Sequence, residues 1–190
     1  MAYKIVVTGG AGYIGSHTLV EIISAGGIPV VIDNFSYSDG TLLNGVEEIT
    51  GKKIVFYKGD VRDEDLLNQV FKENPEISSA IHFAALKSVK ESVQKPLEYY
   101  ENNIGSLITL LKTMKRYSVR DIIFSSSCTV YGQPDTIPVD ETAPFKQAES
   151  PYGATKQMCE RILQDSASLG FRVMSLRYFN PVGAHPSALI

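Results

Sequence analysis

Thr8-Gly9-Gly10-Ala11-Gly12-Tyr13-Ile14-Gly15 follows a short apolar run, Lys4 to Val7, and opens an amphipathic stretch, Gly12 to Ser24. Gly9, Gly12 and Gly15 recur at every third position, and Gly10, Gly12 and Gly15 also satisfy G-x-G-x-x-G. Strand, glycine turn and helix in that order make a phosphate-binding loop. Glycine permits the unusual backbone angles of the turn, lets the chain approach a pyrophosphate closely, and lets the helix pack against the strand. The N-terminus of the helix then faces the phosphate. About 20 residues further on, Asp33 ends a second apolar run, Pro29 to Ile32, where a carboxylate accepts hydrogen bonds from an adenosine ribose. A 2′-phosphate facing that carboxylate would cost on the order of 4 kcal/mol at about 4 Å in an effective dielectric near 20. The loop and Asp33 together predict NAD in preference to NADP. Asp33-Asn34 is also an ordinary turn signal, a reading that the glycines outweigh.

Working outward, further β-branched apolar runs lie at Lys53 to Tyr57, Ala80 to Phe83, Asp121 to Ser125 and Arg172 to Leu176. Between them, helical periodicity marks Thr41 to Ile49, Asp63 to Lys72, Val89 to Tyr117 with a break near Pro96, and Pro151 to Ser168. Asp63 and Ser150 stand where N-caps are needed, and Pro151 suits a first helical turn. Strict alternation of strand and helix predicts an α/β fold with a doubly wound parallel sheet, a Rossmann fold of order 3-2-1-4-5-6, with ligands outside the carboxyl ends of the strands. The long loop Cys128 to Glu149, with Gly132, Pro134, Pro138 and Pro144, reads as part of a cleft. The tail from Asn180 to Ile190 shows no helix or strand of its own.

Composition narrows the function. The 190 residues, 44% hydrophobic, support one core, so residues 1–190 are read as one dinucleotide-binding domain. A net charge of -3, with no basic stripe, argues against nucleic acid; Lys112, Lys115, Arg116 and Arg120 read as the wet face of a helix. Two distant cysteines, Cys128 and Cys159, fit neither a disulfide framework nor a thiolate metal site. His17, His82 and His185 lack paired helical spacing and read as structural or surface imidazoles, so no metal is expected. No apolar run reaches the roughly 20 residues of a membrane span, and the first strand starts close to Met1, which predicts a cytoplasmic protein without a signal peptide.

Chemistry concentrates in Tyr152-Gly153-Ala154-Thr155-Lys156, which places Tyr152 and Lys156 on one face at i and i+4. Tyrosine has a free pKa of about 10. A lysine charge within about 4 to 6 Å lowers it by 1 to 3 units, with help from a positive nicotinamide. Tyr152 then takes a proton from a substrate hydroxyl while nicotinamide takes hydride, Lys156 holds the nicotinamide ribose, and Ser127 of Ser125-Ser126-Ser127 donates to the same oxygen. A Tyr/Lys pair alone is commonplace on helix surfaces; its position after the serine strand makes it a candidate catalytic pair. The candidate cofactor contacts are Gly9, Gly12, Tyr13, Ile14, Gly15, Asp33, Asn34, Asp60 and Val61 of the Gly59-Asp60-Val61 loop, Phe83, Ala84, Ala85 and Ser125, joined by Tyr152 and Lys156.

Together these residues resemble the extended short-chain dehydrogenase/reductase superfamily, and within it the UDP-glucose 4-epimerase family. The strings that carry the resemblance are Thr8 to His17, Phe83 to Val89, Lys95 to Asn103, Ser125 to Gly132 and Arg177 to Ser187. The resemblance implies that Lys87 and Asn102 contact the cofactor, that Lys87, Ser127 and Tyr152 face the sugar, and that Tyr178 and Asn180 line the nicotinamide and nucleotide-sugar side. It implies reversible epimerisation of UDP-glucose and UDP-galactose at carbon 4 through a 4-keto sugar, with NAD recycled, in galactose metabolism. It also implies a homodimer through the fourth and fifth helices. Nucleotide-sugar dehydratases of the same superfamily carry an Asp-Glu pair where this chain has Cys128-Thr129. Family members continue well past Ile190, in a region that holds most contacts to the uridine diphosphate. Alternatives are therefore an NAD-binding fragment or scaffold, and a related nucleotide-sugar dehydrogenase or decarboxylase.

Overall fold

A computed structural model describes residues 3–190; Met1 and Ala2, on which the expected leaderless start rests, lie outside them. Six parallel strands form one sheet: β1 (Lys4–Thr8), β2 (Ile28–Asp33), β3 (Val55–Lys58), β4 (Ile77–His82), β5 (Asp121–Ser127) and β6 (Arg172–Tyr178). Their order is β3-β2-β1-β4-β5-β6, as the alternating pattern predicts. Six helices connect them: α1 (Tyr13–Ser24), α2 (Thr41–Thr50), α3 (Glu64–Glu73), α4 (Val89–Gln94), α5 (Pro96–Arg116) and α6 (Pro151–Ser166).

Alternation along each strand sorts the core into two layers. Val6, Val30, Ile32, Ala80, Ile122 and Phe124 pack with Leu67 and Phe71 of α3, Leu107, Leu110 and Met114 of α5, and Leu163 of α6. Their neighbours Val7, Val31 and Ile81 point the other way, onto Leu19 and Ile22 of α1 and Leu43 and Val46 of α2. Each fully buried Val, Leu, Ile, Phe or Met side chain among them contributes about 1.5–3 kcal/mol relative to exposure. Over the β4–β6 half of the sheet, Ile5, Ile81, Ile123 and Met174 line a shallow open groove, and Met174 is 58% exposed.

The caps are those the sequence marks. Asp63 accepts from the Asp65 and Leu66 amides at 3.0 Å, and Ser150 accepts from Gly153 N at 3.1 Å, with Pro151 in the first turn. The long helical stretch after Ser88 is split at Lys95, whose φ of -131° and ψ of 56° leave the helical region just before Pro96. This follows from the restriction that proline places on the preceding residue. β5 and β6 run further than their apolar runs, pairing as far as Ser127 with Tyr178, so all three serines belong to the sheet. The tail after β6 has no helix or strand, yet it is anchored: Tyr13 Oη donates to Gly183 O at 2.7 Å, and Ile190 is buried against the α1 and α2 layer. No helix among the described residues is long and apolar enough to cross a membrane.

His82 ends β4 at 2% exposure with Nδ1 2.7 Å from Thr8 Oγ1. Burial, aided by the Lys156 charge, pushes its pKa down to about 3. An unfolded histidine titrates near 6.5, so the unfolded chain binds the proton more tightly. Stability is expected to be complete above about pH 6.5 and to fall toward pH 3, by up to ~1.4 kcal/mol per pH unit. Urea denaturation at pH 7 and pH 5 measures this, with His82→Gln flattening the difference; equal stability of the parent at both values would contradict it.

Candidate active site

A cleft of about 670 Å³ opens at the carboxyl ends of the strands, beside the β1/β4 reversal of strand order. Its first wall is the glycine loop. Gly9 has φ +71°, and a Cβ there would sit 2.6 Å from Ala84 N; a Cβ on Gly15 would sit 2.5 Å from Gly9 O. Gly12 differs. Its φ of -82° and ψ of 175° suit any residue, and a Cβ would meet only Gly9 O, at 3.4 Å. Internal packing does not require glycine at position 12, which leaves open room beside the start of α1. Gly12 N-caps α1 without a side-chain bond, and the first turn holds no acidic residue, so its N–H groups and positive dipole end are free for an anion.

Asp33 combines both of its sequence readings. Oδ1 accepts from Phe35 N at 2.9 Å in a local turn, and Oδ2 accepts from Ala11 N at 3.1 Å, tying β2 to the glycine loop while the residue lines the cleft. Gly59 N donates to Asp33 O at 3.0 Å, bringing the next loop alongside. There the Arg62 guanidinium, 2.8 Å away, holds the Asp60 carboxyl below the usual range. Asn34, Val61, Phe83, Ala84, Ala85, Lys87, Asn102 and Ser125 also line the cleft, as do Tyr13 and Ile14.

At the other end stand Ser127, Tyr152, Lys156, Tyr178 and Asn180. Lys156 is 3% exposed; its Nζ donates to Ser125 O at 2.7 Å and lies 4.8 Å from the Phe124 ring centroid and 5.8 Å from that of Tyr152. Burial pushes its pKa down to about 8. The expectation that Lys156 lowers the Tyr152 pKa is not met here. Burial raises it, and the opposing pull comes from the Ser127 hydroxyl. The i, i+4 spacing does bring the two side chains near each other, but the ammonium is directed at a backbone carbonyl rather than at the phenol.

Several cleft residues escaped the sequence reading. Ser36, Tyr37 and Ser38 extend the wall beyond Asn34, and Phe179 and Pro181 flank Asn180. Behind the wall, Asn103 accepts from Leu86 N at 2.8 Å and donates to Leu86 O at 3.0 Å and Thr155 Oγ1 at 3.1 Å, clamping the loop after β4 to α6. Among the described residues no cluster of three or more His, Cys, Asp or Glu could hold a metal ion, and both cysteines are free thiols.

The two kinds of glycine are separable. Gly15→Ala is expected to cost ~1–3 kcal/mol through overpacking, and Gly12→Ala less than about 0.5 kcal/mol. Urea denaturation of both variants checks this, and an equally large loss for Gly12→Ala would show that packing, not a ligand, demands the glycine.

The sequence profile described as "NAD dependent epimerase/dehydratase family" matches residues 5–190. Over 188 residues the chain is 53% identical to a UDP-glucose 4-epimerase of Bacillus subtilis (strain 168) and 52% identical to one of Haemophilus influenzae, matches that cover 98% of this chain and 55% of each relative. The crystal structure of a UDP-glucose 4-epimerase from Bifidobacterium longum in complex with NAD+ and UDP is similar at a TM-score of 0.96 and 49% identity, covering 98% of this chain and 56% of that one. The chain spans about half the length of the curated relatives that it matches.

Proposed function

The chain belongs to the NAD dependent epimerase/dehydratase family, and from that membership we propose that residues 1–190 form the NAD-binding, catalytic part of an enzyme that interconverts UDP-glucose and UDP-galactose at carbon 4. The observation that carries this reading is one cleft with two chemistries. At one end an uncapped helix start and the room beside Gly12 suit a pyrophosphate; at the other Ser127, Tyr152 and Lys156 suit proton transfer at a hydroxyl. The relatives named UDP-glucose 4-epimerase support the same choice.

When bound, NAD supplies the reversible oxidation of carbon 4. The glycine loop and α1 hold its pyrophosphate, Asp33 takes the adenosine ribose, and Lys156 takes the nicotinamide ribose. Tyr152 accepts the proton of the carbon 4 hydroxyl and returns it, while Ser127 donates to the same oxygen. Burial keeps the Tyr152 phenol protonated at rest, so its action as a base requires positive charge beside the ring. Lys156 is a cation 5.8 Å from the ring centroid, and it would have to turn from the Ser125 carbonyl toward the phenol to supply that charge. The carboxylates lining the cleft, Asp33 and Asp60, stand at the β2 and β3 end, and the position after the serine strand is held by Cys128 and Thr129. That arrangement favours epimerisation over dehydration.

Lys87 and Asn180 are proposed to meet the nucleotide sugar, and Asn102 and Tyr178 the cofactor. A homodimer through α5 and α6 is supported by exposed Leu97, Ile108 and Met158 on those helices. The proposed reaction belongs to galactose metabolism, and free thiols at Cys128 and Cys159 suit a cytoplasmic setting.

Two measurements test the proposal. Denaturing the purified chain is expected to release stoichiometric NAD, identified by mass spectrometry, whereas the Gly12→Ala variant releases little; absence of any nucleotide from the parent counts against the cofactor assignment. In a coupled assay with UDP-galactose, Tyr152→Phe is expected to lower turnover by at least ~10²-fold while NAD stays bound. Full activity in that variant would remove Tyr152 from the mechanism.

A further inference from the structure

One buried ion pair lies behind the reactive groups. Glu160, on α6 one turn beyond Lys156, is 3% exposed. Its Oε1 accepts from Ser126 Oγ and, at 3.0 Å, from Arg177 Nε, and its Oε2 accepts from Arg177 Nη2 at 2.9 Å. Arg177, on β6, is itself held: Nη1 donates to Tyr131 Oη at 2.9 Å, and the guanidinium lies 5.0 Å from the Tyr131 ring centroid and 4.8 Å from that of Phe145. A bidentate fork of this kind fixes direction as well as distance.

We propose that Glu160 is a positioning residue for the reactive groups: paired with Arg177, it ties the serine strand to the helix of Tyr152 and Lys156 and sets a counter-charge one turn beyond the Lys156 amine. The inference rests on the reading of Ser127, Tyr152 and Lys156 given above. Strand alternation carries the first half. The Ser126 hydroxyl donates to Glu160, so the side chains of Ser125 and Ser127 face the other side of the sheet, and all three serines border the cleft. Pinning Ser126 therefore fixes the Ser125 carbonyl that receives Lys156 and the Ser127 hydroxyl beside Tyr152. Helical spacing carries the second half, since Tyr152, Lys156 and Glu160 recur every fourth residue along one side of α6.

The charge of Glu160 also acts on Lys156. Burial disfavours the ammonium; the Cys159 thiol on the same helix, its own pKa pushed up to about 11, is uncharged at neutral pH, which leaves the Glu160 carboxylate as the charge on that helix that favours it. From β4 the titratable neighbour is His82, which burial keeps neutral at neutral pH; β5 offers the Ser125 carbonyl and the Phe124 ring; and Tyr152 stands one turn back on α6. Removing the carboxylate charge must lower the Lys156 midpoint.

The test follows Lys156 by NMR of 13Cε-labelled lysine, assigned with Lys156→Arg, and measures NAD affinity at pH 6 and pH 8 in the parent and in Glu160→Gln. The Lys156 midpoint, about 8 in the parent, is expected to fall by about one pH unit in the variant. The charged fraction at pH 8 then drops from about one half to about one tenth, so NAD binds roughly fivefold more weakly at pH 8 and about equally at pH 6. A merely structural role would weaken binding by the same factor at both values, and that result, or an unmoved Lys156 midpoint, would overturn the proposal. Should the single variant fail to fold, Glu160→Gln with Arg177→Met removes both members of the pair and is expected to lower the Lys156 midpoint in the same direction but by less, because the Arg177 charge leaves with the carboxylate. If the parent binds no NAD, the cofactor assignment falls, and the Lys156 midpoint alone still decides for or against Glu160.

Discussion

Beyond its last rung the β1/β4 pair comes so close that the chain has no room for a side chain at Gly9, where a Cβ would lie 2.6 Å from Ala84 N and 2.9 Å from Phe83 C. This contact is the floor of the cleft. Phe83 N donates to Thr8 O at 3.0 Å, prolonging the ladder under the glycine loop. The loop after Ala84 is then gripped by Asn103, which reaches Thr155, and the Thr155 hydroxyl donates to Tyr152 O at 2.7 Å. One continuous set of bonds thus joins the phosphate-binding turn to the helix start that carries the proposed base. A shift at either end would be felt at the other, because packed interiors transmit strain.

Much of this was legible in the sequence. Val6/Val7 and Ile122/Ile123 alternate between two helical layers, and that period of two, interleaved with helical periods, gives strand order through simple crossover rules. The glycine loop was legible because glycine marks sites where backbone must meet backbone or ligand. Less legible were features made by partners far apart in the chain. Glu160 and Arg177 look like ordinary surface charges until α6 and β6 are laid side by side. Ser126 looks equivalent to its two serine neighbours until the pleat turns it inward. The tail, which lacks any periodic signal, still buries Ile190 at 9% exposure.

Tyr152 and Lys156 show where spacing stops informing chemistry. Four residues of helix fix how far apart two Cα atoms lie, not where a flexible amine points. Here the amine satisfies a carbonyl at 2.7 Å, because a buried ammonium without an acceptor is far more costly than one held slightly away from a neutral phenol. The resulting site is electrostatically unfinished: a lysine whose charge burial weakens beside a tyrosine whose proton burial retains. Both groups are thereby set to respond to small changes in nearby charge, which is the condition under which perturbed groups become useful to catalysis.

The strand order also makes many of the chain's contacts distant in sequence. β1 ends at the centre of the sheet, but its pairing with β4 joins Lys4 to Ile77, and the Tyr13 hydroxyl finds its acceptor at Gly183. Contacts of such span slow the search for the native state. While β4 is still to be made, β1 is an open edge carrying Ile5, Val6 and Val7, the kind of surface on which nascent chains associate wrongly. The strand that leads into the floor of the cleft is therefore the one that gains most from protection until β4 is in place.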